Sequence, residues 1–147
     1  FGYVNFIDVS ARGMNPNGSN SFFWQKSWDT FGPMGPAIVT ADEITDPHRL
    51  AVKYWVDGKL LHDYNTSDIE HPIPEVVAFT SAVMTLLPGD IIALGTNHQG
   101  IGPLQDGEVG EIEIEGIGRM AINVVDPLKR IWERGVDEEM AARVRGR

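Results

Sequence analysis

Apolar residues in this chain come in short runs broken by turn formers, which is the spacing of strands more than of long helices. The run over residues 2–9, Gly2-Tyr3-Val4-Asn5-Phe6-Ile7-Asp8-Val9, predicts a first strand, and a second is predicted over 35–40. Residues 51–57 and 59–63 read as a hairpin, with Asp57-Gly58 tolerating the positive φ that a tight turn demands. A short buried strand is expected over 91–94, and a last pair over 108–115 and 117–125, broken at Gly116 and Gly118. Glu111, Glu113 and Glu115 alternate with Ile112 and Ile114, the pattern of a half-exposed strand and not of a carboxylate cluster. One main helix is predicted after Pro74. Val76, Phe79, Ala82, Val83 and Leu86 recur there at helical spacing, forming an apolar stripe expected to face the core. Pro88-Gly89-Asp90 then stops it. The fold class implied is α+β, mostly β, built as a roll or sandwich.

Two stretches carry no period, 10–22 and 95–107, both rich in Gly and polar residues. Loops of that length are disproportionately functional. Beyond Asp126-Pro127 the chain turns highly charged, and 127–147 is read as a tail. Asp137-Glu138-Glu139 precede Arg143, Arg145 and Arg147, a polarity that suits the dipole of a short helix.

Composition narrows the function classes. The 147 residues suit one domain, and 12 basic against 21 acidic side chains give a net charge of −9. Such a surface is poorly matched to a phosphate backbone, so no nucleic-acid partner is expected. No run of eighteen apolar residues is present, so no membrane span is expected. The absence of cysteine excludes disulfides and thiolate sites and fits a reducing, cytoplasmic setting. The chain opens on Phe1 with a strand already in progress, and it is expected to start inside a domain.

Asp8 is the first candidate for chemistry. A carboxylate inside Phe6-Ile7-Asp8-Val9 requires a cation, donors or a metal if it is buried; otherwise it caps the end of the strand. Arg12 can pair with Asp8 or meet a substrate carboxylate bidentately. Lys26 sits among aromatics in Trp24-Gln25-Lys26-Ser27-Trp28, a setting for an anion binder or for a lysine that reaches out to solvent. The loop Gly95-Thr96-Asn97-His98-Gln99-Gly100 follows an apolar run, and its amides can cradle a carboxylate. His48, His62, His71 and His98 have no metal-ligand spacing between them, and Ser10 lacks a nucleophile elbow.

Six segments, in this order and spacing, resemble the fumarylacetoacetate hydrolase family. They are Asp8-Val9-Ser10-Ala11-Arg12; Lys26 through Pro36; Ile38 through Ile44; Asn65-Thr66-Ser67-Asp68; Leu87 through Ile92; and Gly95-Thr96. The resemblance covers residues 2 to about 120. It implies a mixed, mostly β roll, commonly a homodimer, that uses Mg²⁺ or Mn²⁺ on small 2-oxo or 1,3-dioxo acids. By that likeness 1–126 is a catalytic domain cut on its N-terminal side, and Asp8 is a metal ligand. Arg12 and Lys26 become catalytic and substrate-binding residues, while Gly95 and Thr96 contact substrate. The implied activity is hydrolysis or lysis of C–C or C–X bonds through a metal-stabilised enolate, of the acylpyruvate hydrolase or oxaloacetate decarboxylase type.

The departures from the family pattern matter as much. Ile7 stands where the family has Asn, and Gly13 where it has Asp. Asn15 replaces a common Gln at a substrate-orienting position, and Asn97-His98-Gln99-Gly100 replaces the usual loop, making His98 a candidate general base. The family's other metal carboxylates, a Glu-x-Glu pair, fall upstream of the segment that matches Phe1. One carboxylate is a poor Mg²⁺ site. The alternatives are a portion of a longer enzyme, ligands from another chain, or a non-catalytic assembly domain that kept the fold.

Overall fold

The computed structural model describes residues 1–12, 21–97 and 100–134. Strand β1 (Gly2–Phe6) pairs antiparallel with β2 (Met34–Thr40), separated in sequence by the five-residue helix α1 (Phe22–Lys26). The second sheet is antiparallel, in the order β4-β3-β5-β6, from β3 (Ala51–Val56), β4 (Lys59–Asn65), β5 (Val109–Ile114) and β6 (Gly118–Asn123). Helix α2 (Ile73–Val83) lies between β4 and β5 in the sequence, with Pro74 in its first turn, where a missing N–H costs nothing. The architecture is α+β and mostly β, in agreement with the sequence.

The four-stranded sheet follows directly from its residues. Asp57 (φ 47°) and Gly58 (φ 74°) are both left-handed, so the β3–β4 turn has the twist that tight hairpins favour. Val52, Val56, Ile112, Ile117 and Met120 fill the core, joined by Ile44 from the preceding loop. On the opposite face Arg119 lies 3.1 Å from Glu111 and 3.9 Å from Glu113, with its guanidinium 4.3 Å from the centre of the Trp55 ring. The alternating glutamates therefore line the outer face of β5, as their period of two requires.

The two sheets are joined through a polar residue. Asn5 in the middle of β1 is fully buried, and its Nδ2 donates to the Gly118 carbonyl at the start of β6 at 2.9 Å. Among the described residues its Oδ1 has no hydrogen-bond partner.

Residues 126–134 run without regular structure alongside 105–108. The Gln105 carboxamide donates to the Trp132 carbonyl at 2.8 Å and accepts from the Trp132 N–H at 3.0 Å, copying one rung of a β-ladder. Glu108, 5% exposed, accepts from the Gln105 N–H at 2.6 Å and pairs with Arg134. Lys129 pairs with Asp106 at 2.6 Å, and Arg130 grips both oxygens of Asp126 at 2.8 and 3.0 Å. The proposed tail helix over 136–147 lies outside the described residues.

Four expectations need correction. β1 ends at Phe6, so Asp8 stands beyond the strand and is exposed. The buried polar residue of that run is Asn5, three positions earlier. Residues 91–94 form no strand: Ile91 is 47% exposed, and among the described residues no neighbouring strand supplies a ladder. α2 is a helix, but none of its residues is buried, with Phe79 at 73% and Val83 at 70% exposure. Periodicity tells which face of a helix is apolar and says nothing about what covers it. Finally, α1 emerges from the stretch read as leading out of a loop, since five residues are too few to register a 3.6 period.

Candidate functional site

The chain bends sharply past β1. Ile7 N–H donates to the Pro33 carbonyl at 3.1 Å, and Val9 N–H folds back to Ile7 at 2.9 Å. Ala11 N–H then reaches the Gln25 carbonyl at 2.9 Å, so the segment after β1 is tied to α1. That tie sets two candidates side by side. Lys26, the last residue of α1, places its Nζ 2.5 Å from Asp8 Oδ2 and 2.5 Å from Ser10 Oγ. Ser10 Oγ also lies 3.2 Å from the Asp8 carbonyl, closing a compact carboxylate–hydroxyl–ammonium group. The side chains of Lys26 and Asp8 are 30% and 52% exposed, so the group is open to a ligand.

Arg12 is exposed, and the cation on Asp8 is Lys26, not Arg12. Lysine wins because α1 brings residue 26 over the bend, whereas an Arg four residues along an irregular segment has no helical reason to turn back. Sequence reading treated Asp8 and Lys26 as separate features, 18 residues apart.

Gly95 and Thr96 belong to a second group. Gly95 has φ 83°, a conformation that favours glycine, and both residues are exposed. Thr96 Oγ1 lies 2.9 Å from the Tyr64 hydroxyl and donates to the Asn97 carbonyl at 3.3 Å. Asn97 Nδ2 donates to Asp68 Oδ2 at 3.1 Å. Tyr64 escaped the sequence reading; a contact between a strand and a loop 32 residues away leaves no periodic trace. No hydrogen bond among the described residues joins this group to Asp8–Lys26. Asn15 and His98 lie outside the described residues.

The remaining histidines have local partners. His48 Nε2 accepts the Ile73 N–H at 3.0 Å and so caps the start of α2. His71 lies 3.2 Å from Glu75 one turn on, and His62 is buried against Tyr54 and Tyr64 on the hairpin. Among the described residues no three His, Asp or Glu side chains converge on a point where a metal could sit. The described residues therefore do not build a metal site by themselves.

The sequence profile described as fumarylacetoacetate (FAA) hydrolase C-terminal matches residues 1–125, and the chain belongs to that family. A maleylpyruvate hydrolase of Aquipseudomonas alcaligenes is 40% identical over 123 residues, covering 84% of this chain and 41% of its own length. A mitochondrial oxaloacetate tautomerase of Rattus norvegicus is 35% identical over 131 residues, covering 84% of this chain and 42% of its own. The crystal structure of a maleylpyruvate hydrolase from Sphingobium sp. SYK-6 in complex with manganese (II) and pyruvate superposes with a TM-score of 0.76 at 45% identity. That match covers 85% of this chain and 44% of the other. The chain thus spans about half the length of the curated relatives it matches. The family and the mostly β fold expected from the sequence are both confirmed. Among the described residues no helix is long and apolar enough to cross a membrane.

Proposed function

We propose that this chain carries the substrate-holding part of an enzyme that cleaves or rearranges small 2-oxo or 1,3-dioxo acids. The observation that carries the reading is the Asp8–Ser10–Lys26 group: an ammonium, half-open to solvent, held 2.5 Å from a carboxylate and a hydroxyl. On a chain of net charge −9, an acid substrate needs such a local positive centre. Lys26 binds the acid and offsets the negative charge that develops on its oxo oxygen as the neighbouring bond breaks. Thr96 donates to the substrate carboxylate, and Gly95 lets the backbone approach it. Arg12, exposed near the same bend, is a second anion contact. Asp8 is one ligand of a Mg²⁺ or Mn²⁺ ion whose other ligands lie outside the described residues. The chain works as a homodimer.

Support comes from relatives named as a maleylpyruvate hydrolase and an oxaloacetate tautomerase, and from one solved with manganese and pyruvate bound. The decisive experiment is a turnover screen with Mn²⁺ and with Mg²⁺ against oxaloacetate, acylpyruvates and 2-oxo-3-deoxy sugar acids. The reading expects turnover of at least one of these that disappears on chelation and in Asp8→Ala. A second reading, a non-catalytic assembly domain, is favoured by the lack of a three-ligand cluster among the described residues. Inactivity toward the whole panel with either ion, in a folded protein, selects it.

A further inference from the structure

Thr96 is held from two sides. A threonine hydroxyl has one proton and two lone pairs. Its proton is directed to the Asn97 carbonyl at 3.3 Å, so the 2.9 Å contact with Tyr64 runs the other way: the phenol donates and Thr96 accepts. The next residue is clamped as well, Asn97 Nδ2 to Asp68 Oδ2 at 3.1 Å. Asp68 belongs to a 3₁₀ turn, Thr66–Asp68, whose start is capped by Asn65 Oδ1 accepting from the Ser67 N–H at 3.0 Å. Farther along, Gly100 presses on β4 so closely that a Cβ there would stand 2.0 Å from the Leu61 carbonyl oxygen. The loop is thus moored on β4 and the turn that follows it, at Leu61, Tyr64 and Asp68.

We propose that Tyr64 is the positioning residue for Thr96: its phenol fixes and polarises the Thr96 hydroxyl so that the hydroxyl presents its proton to an oxo-acid carboxylate. The assignment rests on the reading above, in which Thr96 contacts substrate. The 3.3 Å bond to Asn97 is long for O–H···O, so that proton moves readily to a charged acceptor, which gives a shorter and stronger bond. Donation from Tyr64 into the same oxygen persists through that switch and strengthens Thr96 as a donor. Thr96 is exposed, so the acid can reach it, and Tyr64 sits on a paired strand that gives the loop a fixed reference.

The test is a double-mutant cycle on the Mn²⁺-loaded protein, with pyruvate affinity measured by calorimetry and oxaloacetate turnover followed in parallel. Tyr64→Phe is expected to weaken pyruvate about threefold to tenfold, the range for one hydrogen bond, and to raise KM while leaving kcat in place. Thr96→Val weakens pyruvate at least as much, and the double variant is no weaker than Thr96→Val alone. Melting temperatures stay together. Wild-type affinity in Tyr64→Phe beside weakened Thr96→Val overturns the Tyr64 role and leaves the substrate reading standing. Effects that multiply in the double variant also overturn it, because Tyr64 would then act independently of Thr96. Wild-type affinity in Thr96→Val, or no pyruvate binding by the unmodified protein, removes the substrate contact and the Tyr64 role with it.

Discussion

Lys26 Nζ lies 2.5 Å from Asp8 Oδ2, across a bend that the sequence alone does not draw. Both groups are partly exposed, so the pair contributes little to stability, on the order of 0–1 kcal/mol. In the proposed function its value lies in holding an ammonium ready for an anion. Lys26→Met should therefore leave the denaturant midpoint nearly unchanged while weakening pyruvate and oxaloacetate by tenfold or more, since a charged hydrogen bond is lost. Parallel urea titrations and binding isotherms check this; a large stability loss with intact affinity would make Lys26 structural.

Asn5 is predicted to be far more sensitive. Asn5→Ala removes a fully buried amide and the donor it offers the Gly118 carbonyl, with an expected cost of about 1–3 kcal/mol in urea unfolding. Asn5→Asp should be worse at pH 7, where a carboxylate faces that carbonyl with no proton to give. Burial raises the pKa of such an Asp above its unfolded value, so its penalty shrinks as pH falls and the acid becomes protonated. A variant whose stability deficit is independent of pH would contradict this geometry.

Two glycines in one loop should respond differently to alanine. At Gly95 (φ 83°) an added Cβ meets open space, so Gly95→Ala bears only the left-handed strain, roughly 1–2 kcal/mol. At Gly100 (φ 72°) the same methyl would also collide with the Leu61 carbonyl at 2.0 Å. Gly100→Ala should lift the loop from β4, and hydrogen exchange at Thr96 and Asn97 should speed up well beyond its change in Gly95→Ala.

The segment 126–134 should be released by acid. Arg130 holds the Asp126 carboxyl down at about 2, well below its ordinary value, and Lys129 likewise lowers Asp106. A depressed folded pKa stabilises the folded form above the ordinary carboxylate value and ceases to do so as pH falls toward about 2. Trp132, whose ring lies 5.6 Å from the Arg130 guanidinium, reports the event by fluorescence between about pH 4 and 2. In Asp126→Asn the part of that change carried by Asp126 should be missing, leaving the part carried by Asp106 and Lys129.

What could be read from the sequence was whatever a period or a turn residue encodes. The Asp57-Gly58 hairpin and the alternating Glu111, Glu113 and Glu115 are local patterns, and both stand in the structure. The strand expected over 91–94 fails because an apolar run does not name its ladder partner. The stripe on α2 is real, but no periodicity tells what meets Phe79. The meeting of Asp8 with Lys26 and of Tyr64 with Thr96 depends on how loops land on strands. The sequence supplied the first pair as separate candidates through the family likeness, and passed over Tyr64 entirely.

The bond between Asn5 and Gly118 also has a meaning in time. It joins residues 113 apart, so the loop it closes is most of the chain. Contacts of such separation are slow to form, because the whole intervening chain must be ordered first. On a ribosome, β1 emerges before β6 and must wait for it. Until Gly118 arrives, β1 has its pairing with β2 but not its tie to the second sheet, so the strand leading to Asp8 is fully seated only after β6 has been made.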